Sequence, residues 1–356
     1  VCSSDLTIPQ FIREDKMKRF LALTSIAAAA LVILPVIGTS ADAQTKIRVG
    51  RTPGASGFHI PSYIAMDKGF FKREGLEARY VAMGGKALVT AGMGGAIDFV
   101  PIPGGGSQAI LKGADLHYVV GESLISQWTI VVNPKVIKTV ADIKGKVMGY
   151  GRAGGADYDE GEITLSQFFN LYVGKDYRVI SFQDESTRLA GLINGAVQAA
   201  LLSFPHAAKA SVAGYKILLK TGEYLPRVGG TFWVTGEYLK NNKPTIKKFI
   251  KAIAKATQYL RENKAGSVPV IQKYFSIKDA KEAAFIWGEV HDQYGPDIPA
   301  GLYKKLFESR LNRMKKRGLW PKDKPMPNIE GHVARDILQP TLREMGYYLQ
   351  APPKVE

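Results

Sequence analysis

The chain has 356 residues, 46% of them hydrophobic and 22% charged, which is globular in composition and more than one ordinary core accommodates. Its net charge of +16 brings nucleic acid to mind, but the basic residues fall on polar helix faces and the chain begins with an export-like segment, so no nucleic acid partner is expected. The charge instead sets up a long-range field that attracts small anions and weakens with salt.

Residues 1–16 precede Met17 and read as an upstream or artefactual segment. Residues 17–43 read as a signal peptide: Lys18 and Arg19, then the apolar run Phe20–Ile37, then the small-x-small site Ala41-Asp42-Ala43. A membrane anchor is the alternative, since roughly 18 apolar residues just span a bilayer. Pro35, Gly38 and the Ala-Asp-Ala site favour cleavage and a periplasmic location. Removing residues 1–43 leaves 313 and takes four basic and four acidic residues, so the charge stays at +16. It also removes Cys2, the one cysteine. The exported part then has no disulfide and no lipid-bearing cysteine, and its stability must come from its core.

Ile47–Val49 reads as a strand, followed by a helix from Ile60 in which Pro61 suits the first turn and Gly69 and Gly75 the ends. Strands are expected at Ala78–Met83, Ile97–Ile102, Tyr118–Val120 and Thr129–Val132, with helices opening at Gly84-Gly85 and Gly104. Asn133–Lys138 is placed as the first crossing, which makes 44–134 the first part of lobe one. Lobe two, 138–222, is expected to run through strands at Val147–Tyr150, Val179–Phe182, Val197–Leu202 and Tyr215–Leu219, with helices at Asp157–Leu171 and Thr187–Ile193. The return crossing is placed near Glu223–Gly230, and 228–356 completes lobe one with the strand Thr231–Thr235 and helices after Pro244. Lys247, Lys248, Lys251 and Lys255 lie opposite the stripe Ile246, Phe249, Ile250, Ile253 and Leu260, as on a solvated helix face. The basic stretch Lys304–Arg317, with Arg310, reads the same way.

One design occurs twice. Lys46-Ile-Arg-Val-Gly-Arg-Thr-Pro-Gly-Ala55 and Lys146-Val-Met-Gly-Tyr-Gly-Arg-Ala-Gly-Gly-Ala-Asp157 are each an apolar strand breaking into a glycine turn, 100 residues apart. Gly95-Ala-Ile-Asp98 and Gly195-Ala-Val-Gln198 keep the same offset. This points to two similar α/β lobes whose strand-end loops face a shared cleft. A strand, glycine turn and helix N-terminus make a place for a small anion. The anion cradle is expected at Arg152, Ala153, Gly154, Gly155, Ala156 and Asp157; a tight turn with no ligand is the alternative. Gly149–Gly154 also matches the Gly-x-Gly-x-x-Gly of dinucleotide sites, but the acidic residue due about 20 positions on is missing.

The residues Gly54, Pro61, Tyr63, Ala65, Gly69, Phe70, Phe71, Glu74, Gly75 and Leu76 form a pattern that resembles the substrate-binding proteins of ABC importers. The similar branch serves nitrate, sulfonates, taurine and thiamine precursors. Val140–Lys146 resembles that family's phrase opening lobe two, and Gly95–Asp98 its helix-to-strand phrase; the resemblance covers most of residues 46–260. It implies an α/β, two-lobed periplasmic-binding-protein fold of type II, with two chain crossings at the hinge and an ABC permease in the inner membrane as partner. By the same resemblance, ligand contacts in lobe one are expected at Ser56, Gly57, Phe58, His59, Gly84, Gly85, Pro103, Gly104 and Gly105. Phe58 would stack on a ring, and His59 would donate to an anion or cap the next helix. In lobe two, Ser203, Phe204 and His206 follow a strand and should face the cleft; Thr231 opens the returning strand. Trp233 is expected in the core, and Trp128 and Trp287 in packing.

No enzyme constellation emerges. The five histidines are dispersed, with no metal-binding spacing, and nothing near Ser203 marks an activated nucleophile. A related enzyme class making a thiamine pyrimidine looks dependent on a cysteine-rich iron motif, which is missing here. No cofactor or metal is expected. The expectation is a monomeric solute receptor that closes on a small organic anion, a sulfonate or carboxylate, with aromatic anions among the candidates. A neutral heteroaromatic such as a pyrimidine is the runner-up, and Asp157, Asp159 and Glu160 keep amines in play. An exported enzyme and a ligand-sensing domain are the competing classes.

Overall fold

The computed structural model describes residues 44–123, 125–153, 155–225, 229–301, 307–308, 310–312, 314–315, 318, 320–321 and 324–347. The expected upstream segment and signal peptide, residues 1–43, lie outside them, as does Gly154. Among the described residues no helix is long and apolar enough to cross a membrane.

Strand β1 (Thr45–Arg51) buries Ile47 and Val49 and pairs in parallel with β2 (Leu76–Ala82). Helices α1 (Ile60–Asp67) and α2 (Phe70–Arg73) make the crossover, separated by Gly69 at φ 70°. Helix α3 (Gly85–Met93) follows β2. The third strand expected at Ile97–Ile102 is reduced to two bridging residues: Phe99 pairs with Val49 in parallel, and Val100 pairs with Trp233 antiparallel. Helix α4 (Pro103–Leu111) leads to β3 (Leu116–Gly121).

The next strand corrects the sequence reading. Strand β4 (Trp128–Val132) was expected in lobe one, yet it lies in a five-stranded sheet with β5 (Val147–Tyr150), β6 (Arg178–Ser181), β7 (Ala199–Ser203) and β8 (Lys216–Lys220), in the order β6-β5-β7-β4-β8. The chain therefore crosses at residues 122–127, ahead of Asn133–Lys138. The asparagine and proline there make a turn inside lobe two, where Asn133 N–H bonds Gln198 O and Ile137 is buried. Helices α5 (Ala156–Phe169), α6 (Glu185–Ile193) and α7 (Phe204–Val212) connect these strands. The chain returns after β8 to β9 (Thr231–Thr235), which pairs antiparallel with β3.

The two lobes thus share one plan, β2-β1-Phe99/Val100-β9-β3 beside β6-β5-β7-β4-β8. Each receives its antiparallel fourth strand from a crossing, since β4 follows β3 and β9 follows β8. The crossings run side by side, with Glu122 N–H donating to Gly230 O and Gly229 N–H to Ser123 O, both at 2.9 Å. The landmark glycines agree: Gly95 and Gly195 have φ of 73° and 78°, a left-handed conformation that costs any other residue a steric clash.

Helices α8 (Gly236–Asn241), α9 (Lys243–Glu262), α10 (Lys264–Phe275), α11 (Ala280–Val290) and α12 (Arg335–Glu344) follow. The apolar stripe of α9 joins the lobe-one core, with Phe249 stacked on Phe99 at 3.7 Å between ring centres and on Phe71 at 5.3 Å. Burying each such ring contributes about 1.5–3 kcal/mol. Phe307, Leu311 and Trp320 belong to the same core. Arg310, read as part of a solvated face, is buried with them.

Candidate functional site

In lobe two, β5 connects to β6 on one side and β7 lies on the other, so the carboxyl ends of β5 and β7 flank a switch point, where α/β sheets open a crevice. Gly151 ends β5. Its N–H donates to Asp157 Oδ2 at 2.8 Å, and Arg188 Nη2 donates to the same oxygen at 2.6 Å. A Cβ on Gly151 would run into that carboxylate. The carboxylate of Asp157, a residue expected in the anion cradle, thus turns back on the end of β5. The guanidinium beside it comes from Arg188 on α6, whereas Arg152 and Ala153 are exposed. Gly155 caps α5 and donates its N–H to Arg152 O, and Ala156 is the first helical residue. Arg188 is 2% exposed, donates from Nη1 to Leu201 O and lies 5.8 Å over the Trp128 ring. Its Nε has no hydrogen-bond partner among the described residues.

Ser203 ends β7, where its N–H donates to Glu185 Oε2 at 2.7 Å. Burial pushes the Glu185 carboxyl up, but nearby His206, then Arg188 and the Ser203 side chain, together hold it below its ordinary value. His206 Nδ1 stands 3.3 Å from the same Oε2 without hydrogen-bond alignment, and its Nε2 is 3.4 Å from Ser186 Oγ. Serine, histidine and glutamate thus meet in the order of a catalytic triad. The misaligned histidine leaves the base without the orienting bond that such chemistry uses, and Ser186 Oγ is turned to Gly54 O. Phe204 packs against the lobe-one core, with its ring 6.5 Å from Phe285.

In lobe one the Ser56–His59 turn is buried, and its polar groups are largely engaged. Ser56 N–H donates to Tyr63 Oη at 2.9 Å, and Gly57 O accepts from Tyr294 Oη. Phe58 meets Trp128 at 4.8 Å between ring centres. His59 does not cap α1; its Nδ1 lies 2.5 Å from Glu122 Oε2, while Glu122 Oε1 accepts the Ser62 N–H at 2.8 Å. Burial raises the Glu122 carboxyl, and His59 and the Ser62 N–H offset this only in part. Gly84 caps α3 and faces Gln183 of lobe two, with Gly85 next to it. Pro103 opens α4, Gly104 faces Ala156, and Gly105 turns away toward Val89. Thr231 is buried at the start of β9. Trp233 is fully buried in the core and donates to Ile102 O at 3.0 Å.

The loops of the two lobes meet. Gly57 N–H donates to Ser203 Oγ at 3.3 Å, and Ser186 Oγ to Gly54 O at 3.3 Å. Gln127, on the first crossing, lies between these loops with its Oε1 accepting from Tyr294 Oη at 3.4 Å; its Nε2 has no hydrogen-bond partner among the described residues. Glu160, buried on α5, accepts from the hydroxyls of Ser126 and Thr221 at the crossings. Glu122, Gln127, Glu185, Arg188 and Arg310 escaped the sequence reading because no local pattern sets them apart. Among the described residues no group of three or more His, Cys, Asp or Glu is placed to hold a metal.

Two α/β lobes of one plan, joined by two crossings and meeting through their strand-end loops, define the periplasmic-binding-protein fold. Residues 57–266 match the family described as NMT1/THI5 like, and the chain belongs to that family. YtlA from Bacillus subtilis (strain 168) is 26% identical over 333 residues, covering 87% of this chain and 95% of that protein. The periplasmic aliphatic sulphonate binding protein SsuA from Escherichia coli superposes with a TM-score of 0.66 at 20% identity, covering 83% of this chain and 99% of that one. The periplasmic nitrate-binding protein NrtA from Synechocystis PCC 6803 superposes with a TM-score of 0.70 at 15% identity, covering 87% and 91%.

Proposed function

We propose that this chain is an exported, non-enzymatic solute-binding protein that closes its lobes on a small organic anion, a sulfonate or carboxylate, and delivers it to an ABC permease in the inner membrane. The observation that carries the ligand class is a pair of buried donors with no hydrogen-bond partner among the described residues, Arg188 Nε beside the switch point and Gln127 Nε2 on the first crossing. A buried donor left unmet costs about 1–3 kcal/mol, so a ligand rich in acceptors recovers that cost. The sulfonate- and nitrate-binding proteins that share the fold support the same class. The net charge of +16 favours capture of anions from a distance. Micromolar affinity requires about 8 kcal/mol net, which backbone and side-chain donors supply best in a cleft closed off from water.

The aromatic pair Phe58 and Trp128 favours a second reading, a neutral heteroaromatic ligand stacked in the cleft. Calorimetric titration of Arg188→Lys and Arg152→Gln variants with any anion that binds the parent separates the site residues. Arg188→Lys should weaken binding tenfold or more, while Arg152→Gln should leave it within twofold; the reverse ranking overturns the placement of the anion beside Arg188.

A further inference from the structure

We infer that Arg310 is a positioning residue that ties the two lobes together from outside the part of the chain that the family match covers. The inference rests on the lobe-closing reading above. The match ends at residue 266, and Arg310 lies in the later segment whose Phe307 and Leu311 are anchored in the lobe-one core. Its side chain, 3% exposed, reaches both lobes. Nη1 donates to Gly104 O in the first turn of α4 at 2.5 Å, and Nε stands 3.0 Å from Asp159 Oδ2 in the first turn of α5. These two turns are in close approach, since a Cβ on Gly104 would lie 2.6 Å from the Ala156 Cβ. A guanidinium presents several donors in one rigid plane, so it holds two acceptors at a fixed spacing in a way that an ammonium does not. Gly104 belongs to lobe one and Asp159 to lobe two. Separating the lobes takes the carboxylate away from Arg310, so this residue biases the chain toward the closed arrangement, and any closed-form ligand gains apparent affinity in proportion.

The test is the inter-lobe distance in ligand-free protein, read by electron spin resonance between labels at Lys175→Cys in lobe two and Lys240→Cys in lobe one, both exposed positions. Arg310→Met and Asp159→Asn should each shift the distances to longer values, and the double variant should go no further than the singles. Arg310→Lys, which keeps the charge but not the fork, should restore part of the short distance. Asp159→Asn guards against damage to the C-terminal segment, because it lies on the other lobe. A shift in Arg310→Met without one in Asp159→Asn, or shifts that add in the double variant, overturns the inference. Gly57→Val serves as a wedge, since a Cβ there would lie 2.5 Å from Pro205 Cδ across the gap. If the wedge lengthens the distance and the Arg310 and Asp159 variants do not, the tie falls alone. If nothing lengthens it, lobe closure itself falls.

Discussion

Arg188 Nη2 lies 2.6 Å from Asp157 Oδ2, and that oxygen also accepts the Gly151 N–H at the end of β5. The glycine turn is therefore neutralised from within, and the arginine that does so starts from a neighbouring helix. With both side chains largely buried, the pair works as a unit. Removing one member strands a charge, which costs about 3–5 kcal/mol. Arg188→Met should lose that much stability in urea unfolding, and adding Asp157→Asn should recover most of it. Equal, additive losses would show that the two groups are not coupled.

Close approach of the lobes needs glycine at position 57. A Cβ there would lie 2.5 Å from Pro205 Cδ and 3.0 Å from Gln127 Oε1. That clash arises only when the loops meet. Gly57→Ala should weaken solute binding about tenfold, or 1.4 kcal/mol, with little change in the melting temperature of ligand-free protein. Unchanged binding would mean that the Ser56–His59 turn does not close on the ligand.

Glu185 gives the molecule an acid limit. Its carboxyl is held below its ordinary value in the folded protein, so the native state binds that proton less readily than the unfolded chain. The stabilisation is complete above the ordinary carboxylate range and is lost as pH falls through the lowered value. Glu185→Gln should flatten the acid limb of stability against pH in that window. An identical acid limb in the variant would remove Glu185 from the account.

Trp233 anchors the return strand, touching the positions of Gly92 and Gly106 and donating to Ile102 O. Trp233→Ala should cost about 3–5 kcal/mol through the cavity it leaves, measured by denaturant unfolding. A loss below 1 kcal/mol would show that the site collapses around the smaller side chain.

Much of the fold was legible in the sequence, because glycine turns and apolar runs at a constant offset mark two lobes of one plan. The swap of β4 was not. Trp128–Val132 is buried along its whole length, so its pattern says strand without saying in which sheet. The crossing at residues 122–127 also lacks the Asn-Pro pair that makes Asn133–Lys138 look like a boundary. Where loops carry the candidate site, the sequence names residues that the structure brings together, Gly57, Ser203 and His206. The candidate site was hidden where helices carry it, as with Glu185 and Arg188, which read as ordinary residues of an amphipathic turn until β5 and β7 are laid side by side. Arg310 sits in a run of basic residues, and charge alone does not tell a buried guanidinium from its solvated neighbours.

The most direct test of anion capture is a thermal-shift screen of residues 44–356 against aliphatic sulfonates, small carboxylates, nitrate, amines and neutral pyrimidines. A ligand at 100 times its dissociation constant adds about 2.7 kcal/mol of stability, or about 4 °C for a chain of this length. At least one sulfonate or carboxylate should raise the melting temperature by that amount while amines and pyrimidines leave it unmoved. A rise with pyrimidines or amines and none with any anion would contradict the account.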